Sequence, residues 1–334
     1  MIIKNYIFYI IMETTYNIIK ENGSFILIAC ISILFIACHV LYKFNFLFSP
    51  SISEMPETKK PLKIVVFDLD ETLGCFVEIG IFWDALEKIS KNPHVDIKIN
   101  NESFFEIIDL FPEFLRPNII NILDYLLDKK KTKECDKIMI YTNNQGPKSW
   151  AKMISEYFEN KLNSKIFDQI IAAFKVQGKK VEMCRTSHDK SVNDLIKCTK
   201  IPENTEICFL DDQYHPQMKD SSVYYINLKP YTFSMDYREM AERYYNKYSK
   251  KINISKLEFI DTIEIYMKKF NYKIIPKNED EKSIDSVISK QIIIHLEEFF
   301  NKNKRKYTIK KTNKTNKTNK TNKTNKNLTR RDRK

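Results

Sequence analysis

Apolar positions in this chain fall into three patterns, and each predicts a different kind of element. Over residues 25–42 the run FILIACISILFIACHVLY is broken only by Ser32 and His39, and no charge occurs before Lys43. A charge-free stretch of this length predicts a bilayer-crossing helix over 25–48, preceded by a short segment at 1–24 and followed by a polar, proline-bearing linker at 49–61. Further on, LKIVVF, KIMIYT, EICFL and VYYINL are short continuous apolar runs, and 167–174 is another. Such runs suit strands buried on both faces of a parallel sheet. Between them the spacing turns helical. Ile119, Ile122, Leu123, Leu126 and Leu127 share one face of a helix predicted over 116–129. Further helices are expected from Pro147 onward and over 189–198, 234–270 and 284–301. FWDALEKI and ESFFEIIDLF predict two more, forming a small insertion after the first strand. Alternation of this kind predicts an α/β domain, a doubly wound parallel sheet over 62–250, with additional helices over 251–300.

Composition changes this picture in a few places. Hydrophobic residues at 43% are enough for a real core, while only five glycines and no G-x-G-x-x-G or Walker loop argue against a dinucleotide or P-loop site. The net charge of +12 resembles a nucleic-acid signal until it is located. Residues 301–334 carry 15 Lys and Arg against a single acid, which leaves the first 300 residues at about −2. The K-T-N repeat there has no apolar periodicity and predicts a disordered tail. Its charge offers salt-sensitive attraction to nucleic acid, but a solubilising extension is the simpler reading. Lys4 and Lys20 precede the apolar span, whereas Lys43, Lys59, Lys60 and Lys63 follow it. The excess of lysines after the span places the C-terminal domain in the cytosol of a single-pass membrane protein. Seven cysteines form no C-x-x-C pair and read as reduced, structural residues. No feature of the pattern points to an oligomeric state.

The chemistry is concentrated at strand ends. FDLDETL follows the first apolar run immediately, so Asp68 and Asp70 project beyond the carboxyl end of a strand, where open α/β sheets bind ligands. Two carboxylates this close repel each other unless a cation or a shared proton intervenes. A lone D-x-D also occurs in solvated turns. Three further elements stand at comparable points: Thr142, followed by Asn143, ends KIMIYT; Lys190 opens the helix in SHDKSVNDLI; Asp211 and Asp212 end EICFLDD. Each has an ordinary alternative as a helix cap, a surface charge or a turn. Their joint order and placement set them apart.

This ordered set resembles the haloacid dehalogenase superfamily over roughly residues 62–228. The resemblance implies a Rossmann-like fold and phosphomonoester hydrolysis. Asp68 would form an aspartyl-phosphate, and Asp70 would act as general acid and base. Thr142 and Lys190 would hold the phosphoryl oxygens. Asp211 and Asp212 would bind Mg²⁺ together with the Asp68 carboxylate and the Asp70 backbone carbonyl. Thr72 would steady the loop and, with Asn143, border the substrate. FDLDETL followed by FLRPNIINILDYL is also similar to the C-terminal-domain phosphatase branch, whose members act on phosphoproteins. Arg116-Pro117-Asn118 stands where that branch has R-P-G. TNNQG departs from it toward branches acting on nucleic-acid ends or small phosphate esters, and DDQYHP departs from the Asp-Asn pair usual in that branch. The expected function is therefore that of a membrane-anchored phosphoprotein phosphatase. A polynucleotide-end or small-metabolite phosphatase is one alternative. A catalytically inactive, membrane-tethered binding protein is the other.

Overall fold

The computed structural model describes residues 60–301 apart from 275, together with residues 10, 12–14, 33, 36 and 37. The expected span at 25–48, the linker at 49–61 and the repeat tail at 301–334 therefore lie almost entirely outside the described residues. Among those described, no helix is long and apolar enough to cross a membrane. The chain divides into two compact units, Met1–Lys60 and Pro61–Lys334. The second contains all the elements discussed below.

Five parallel strands form its centre: β1 (Lys63–Phe67), β2 (Lys137–Tyr141), β3 (Gln169–Ile171), β6 (Glu206–Asp211) and β7 (Val223–Asn227), in the order β3-β2-β1-β6-β7. A separate two-stranded hairpin, β4 (Lys175–Val176) and β5 (Lys179–Lys180), follows β3. Side chains alternate across the pleat. Val65, Phe67, Ile140 and Leu210 face one core, while Ile64, Val66, Met139 and Phe209 face another. Both faces are thus covered, which is why the strand sequences show no polar alternation. The result is a mixed α/β unit with a Rossmann-like parallel sheet.

Two helices, α1 (Val77–Ile89) and α2 (Asn101–Leu110), occupy the interval after β1. A reciprocal capping box between Asn100 and Ser103 starts α2. Next, α3 (Ile119–Lys131) buries the five apolar residues of its predicted face. It begins three residues later than the spacing suggests, because Pro117 and the left-handed Asn118 (φ 63°) precede it. That offset frees Arg116 for another task, described below.

α4 (Lys148–Lys161) and α5 (Val192–Thr199) complete the sheet crossovers. The Ser191 hydroxyl caps α5, so Lys190 lies just ahead of the helix instead of within it. The helix expected over 234–270 is two, α6 (Tyr237–Tyr248) and α7 (Lys256–Lys268), separated where Ser255 caps the second. A last helix, α8, covers 279–301. Lys63 of β1 donates to the carbonyls of Phe299 (3.0 Å) and Phe300 (3.3 Å), putting a cation at the end of α8.

Two further expectations need correction. The strand foreseen over 167–174 stops at Ile171, because the Ala172 carbonyl accepts from buried Arg185 (3.0 Å) instead of a sheet neighbour. Cys184 and Cys198 are not free thiols: they form a disulfide, brought together across the loop between β5 and α5. Among the described residues Cys75, Cys135 and Cys208 are free and buried.

Glu78, in the first turn of α1, has no solvent exposure. Burial pushes its carboxyl from the ordinary 4.5 up to about 8, with the Met235 backbone pulling the other way. Below pH 4.5 the carboxyl is protonated in both folded and unfolded chains. Between 4.5 and 8 only the unfolded chain ionises freely, so stability falls as pH rises through that window. Glu78→Gln should therefore be more stable than wild type at pH 8, by on the order of 2 kcal/mol, and show little advantage at pH 4.5. Thermal melts at the two pH values check this.

Candidate active site

Strand register brings the acidic residues together. Phe67 is paired with Leu210, so the next residues, Asp68 and Asp211, lie side by side at the carboxyl ends of β1 and β6. The Asp68 amide donates to the Leu210 carbonyl (2.8 Å), extending the ladder by one bond. On the other side β2 delivers Thr142, whose amide bonds to the Ile171 carbonyl (3.0 Å). Lys190 reaches the same point from the segment before α5. Its ammonium bridges Asp68 Oδ1 and Asp211 Oδ2, the latter at 2.7 Å. All four side chains are nearly inaccessible. A cavity of about 150 Å³ opens over them, bordered also by Asp70, Asn143, Asn144 and Asp212.

Electrostatics explains this arrangement. Burial pushes the Asp68 carboxyl up to about 6, against the pull of Lys190, and nearby Asp211 adds to the rise. Asp212 is also raised to about 6, first by burial and then by the charges of Asp68 and Asp211. Burial would raise Asp211 as well. Its hydrogen bond with His215 and the Lys190 ammonium outweigh that effect and hold it below the usual range. Burial disfavours the Lys190 cation, but Asp68 and Asp211 more than compensate and raise its pKa. One buried ammonium thus serves two carboxylates while a third stands beside them.

The loop after Asp68 is held from behind. Glu71 adopts a left-handed backbone (φ 57°), costly for a side-chain-bearing residue. Its carbonyl accepts from Arg116 Nη2 (2.6 Å) and from the Tyr231 amide (2.9 Å), while Arg116 Nε donates to the Thr72 carbonyl (2.6 Å). Burial lowers the Arg116 pKa to about 10, leaving the guanidinium charged at neutral pH. The Thr72 hydroxyl donates to Asp212 Oδ1 (3.2 Å) and does not border the cavity, so it braces an acid instead of facing a ligand.

Asp70 is oriented by a residue that motif reading passed over. Asn144 Nδ2 donates to Asp70 Oδ2 (2.7 Å), and Asn144 Oδ1 accepts from the Gly146 amide (2.8 Å). A Cβ at Gly146 would lie 2.8 Å from that same Oδ1, so glycine is what lets the carboxamide sit there. The other Asp70 oxygen, Oδ1, is buried without a hydrogen-bond partner. Burial raises the Asp70 carboxyl above its ordinary range, opposed by the Asn144 bond. Asn144→Ala should remove the largest opposing pull and raise the Asp70 carboxyl further with little change in melting temperature, as measured by a pH titration of the carboxyl carbon by NMR alongside thermal melts. His215, whose Nε2 lies 3.3 Å from Asp211 Oδ2, was likewise not foreseen. Its place four residues after Asp211 gives no cue, because no helix joins the two.

One carboxylate oxygen from each of Asp68, Asp211 and Asp212 lies within 4.8 Å of the other two. An all-oxygen, acid-rich donor set fits a hard cation, and the surplus of buried negative charge over the single ammonium leaves room for one. Those three residues are the ones that would hold it. No family model and no curated protein matches the chain.

Proposed function

We propose that this chain is a Mg²⁺-dependent phosphomonoester hydrolase of the haloacid dehalogenase type. The observation that carries this reading is the convergence of Asp68, Lys190 and Asp211, from three separate elements, on one cavity. An Asp68 oxygen attacks phosphorus as the bond to the leaving oxygen breaks, giving an aspartyl-phosphate. Asp70, with one oxygen anchored by Asn144, transfers its proton to that leaving oxygen. The resulting Asp70 carboxylate then takes a proton from water as the water oxygen attacks phosphorus. The bond to Asp68 breaks, phosphate leaves, and both carboxyl groups are restored. Thr142 and Lys190 border the same cavity and meet the phosphoryl oxygens. Asp68, Asp211 and Asp212 would hold Mg²⁺, which would supply positive charge to offset the repulsion between the nucleophile and the anionic substrate.

Neither α1 nor α2 contributes to the rim of the cavity, which is formed by loops at the strand ends. A site left uncovered in this way suits a phosphorylated side chain on a protein, and the apolar stretch at 25–48 would tether the enzyme to a membrane. The direct test is release of p-nitrophenol from p-nitrophenyl phosphate by the full chain. Turnover that appears with added Mg²⁺ and disappears with a chelator is expected. Absence of turnover under both conditions would overturn the proposal and favour an inactive binding protein.

A further inference from the structure

A second cavity adjoins the one just described and is chemically its opposite. Thr142 and Asn144 belong to the walls of both. Beyond them the second cavity, of about 130 Å³, is bounded by Pro147, Ala151, Ala172, Ala173, Val176 and Val181. Its walls come from the loop leading into α4, α4 itself, the segment leaving β3, and the hairpin arms. None of these apolar side chains has a part in the hydrolytic chemistry.

Small residues keep this space open. Ala172 and Ala173 follow the point where β3 leaves the sheet, and Arg185 fixes that departure by donating to the carbonyls of Thr142 and Ala172 (3.0 Å each). The hairpin is held across by the Val181 amide, which donates to the Phe174 carbonyl (3.0 Å). The volume is close to the roughly 150 Å³ of an apolar protein cavity that admits benzene.

The geometry points to this cavity as a substrate subsite that receives a compact apolar group, the size of one ring, carried within a few bonds of the phosphorus. The assignment rests on the phosphatase reading and narrows its substrate class. Occupancy follows from continuity: a phosphoryl group at Lys190 and Thr142 leaves its ester substituent with a direct path past Asn144 into the apolar space. Among phosphorylated side chains, phosphotyrosine carries such a ring and phosphoserine does not.

Binding of two non-hydrolysable probes to the full chain in Mg²⁺ tests this without relying on turnover. Benzylphosphonate and ethylphosphonate share a head group and differ in the ring, so calorimetry should show roughly tenfold or greater preference for the benzyl compound. Val181→Trp and Val176→Trp place a large side chain on either hairpin arm, and either substitution should bring the ratio of the two affinities toward one. Equal affinities in wild type would overturn the subsite. So would a benzyl preference that survives both substitutions, since the ring would then bind elsewhere. Failure of the phosphatase reading is read separately, as Mg²⁺-dependent phosphonate binding without hydrolysis of either benzyl or ethyl phosphate.

Discussion

Replacing Asp68 with asparagine should lower phosphate-ester turnover at least about a thousandfold while leaving the fold intact. The amide has the same shape but cannot form the acyl-phosphate, so the loss should fall on kcat. Stability should not suffer. Asp68 is buried beside Asp211 with one ammonium between them, and removing a charge there relieves like-charge repulsion. Steady-state kinetics with p-nitrophenyl phosphate and a thermal melt decide the matter together. A variant that kept wild-type kcat would rule Asp68 out as nucleophile.

Lys190→Met should have the largest structural effect of any single change at the site. Its ammonium is the only lysine cation bridging Asp68 and Asp211 among the described residues, and both partners are buried. Breaking a buried ion pair on one side costs about 3–5 kcal/mol, because the remaining charges keep their desolvation penalty. Here two carboxylates would be left facing each other. A divalent cation can replace part of what is lost, and a ligand present at 100 times its dissociation constant stabilises by about 2.7 kcal/mol. The variant should therefore melt well below wild type in a chelator and recover more steeply as Mg²⁺ is added. Turnover should stay low even when the fold is restored, since the phosphoryl oxygens would lack their cation. An unchanged melting temperature in chelator would show that the ammonium is not structural.

The strands themselves were legible in the sequence because each has a continuous apolar run, a pattern suited to a sheet covered on both faces; their order across the sheet was not, since an apolar run does not name its neighbour. The ends of elements were less legible. At Arg116 the helical spacing extended too far back, since periodicity cannot see that a guanidinium is needed by the Glu71 and Thr72 carbonyls. Residues 172–174 look like strand by composition but follow the hydrogen bond from Arg185, which is remote in sequence. The Cys184–Cys198 bond could not be read either, because their spacing matches no metal or redox motif.

The acidic cluster was foreseen as a set because every member terminates a strand, and register alone makes neighbours of Asp68 and Asp211. Asn144 and His215 were not. Their roles depend on side-chain direction within loops, where no period applies.

The position of β1 in the middle of the sheet has a consequence for hydrogen exchange. The Asp68 amide is bonded to Leu210 at the end of the ladder between β1 and β6, so its exchange should require that central pairing to open. The hairpin formed by β4 and β5 has two residues per strand and is paired with nothing else in the sheet. Its amides can exchange through brief local opening. The backbone that carries the nucleophile should thus exchange more slowly than the hairpin that would choose the ester's substituent.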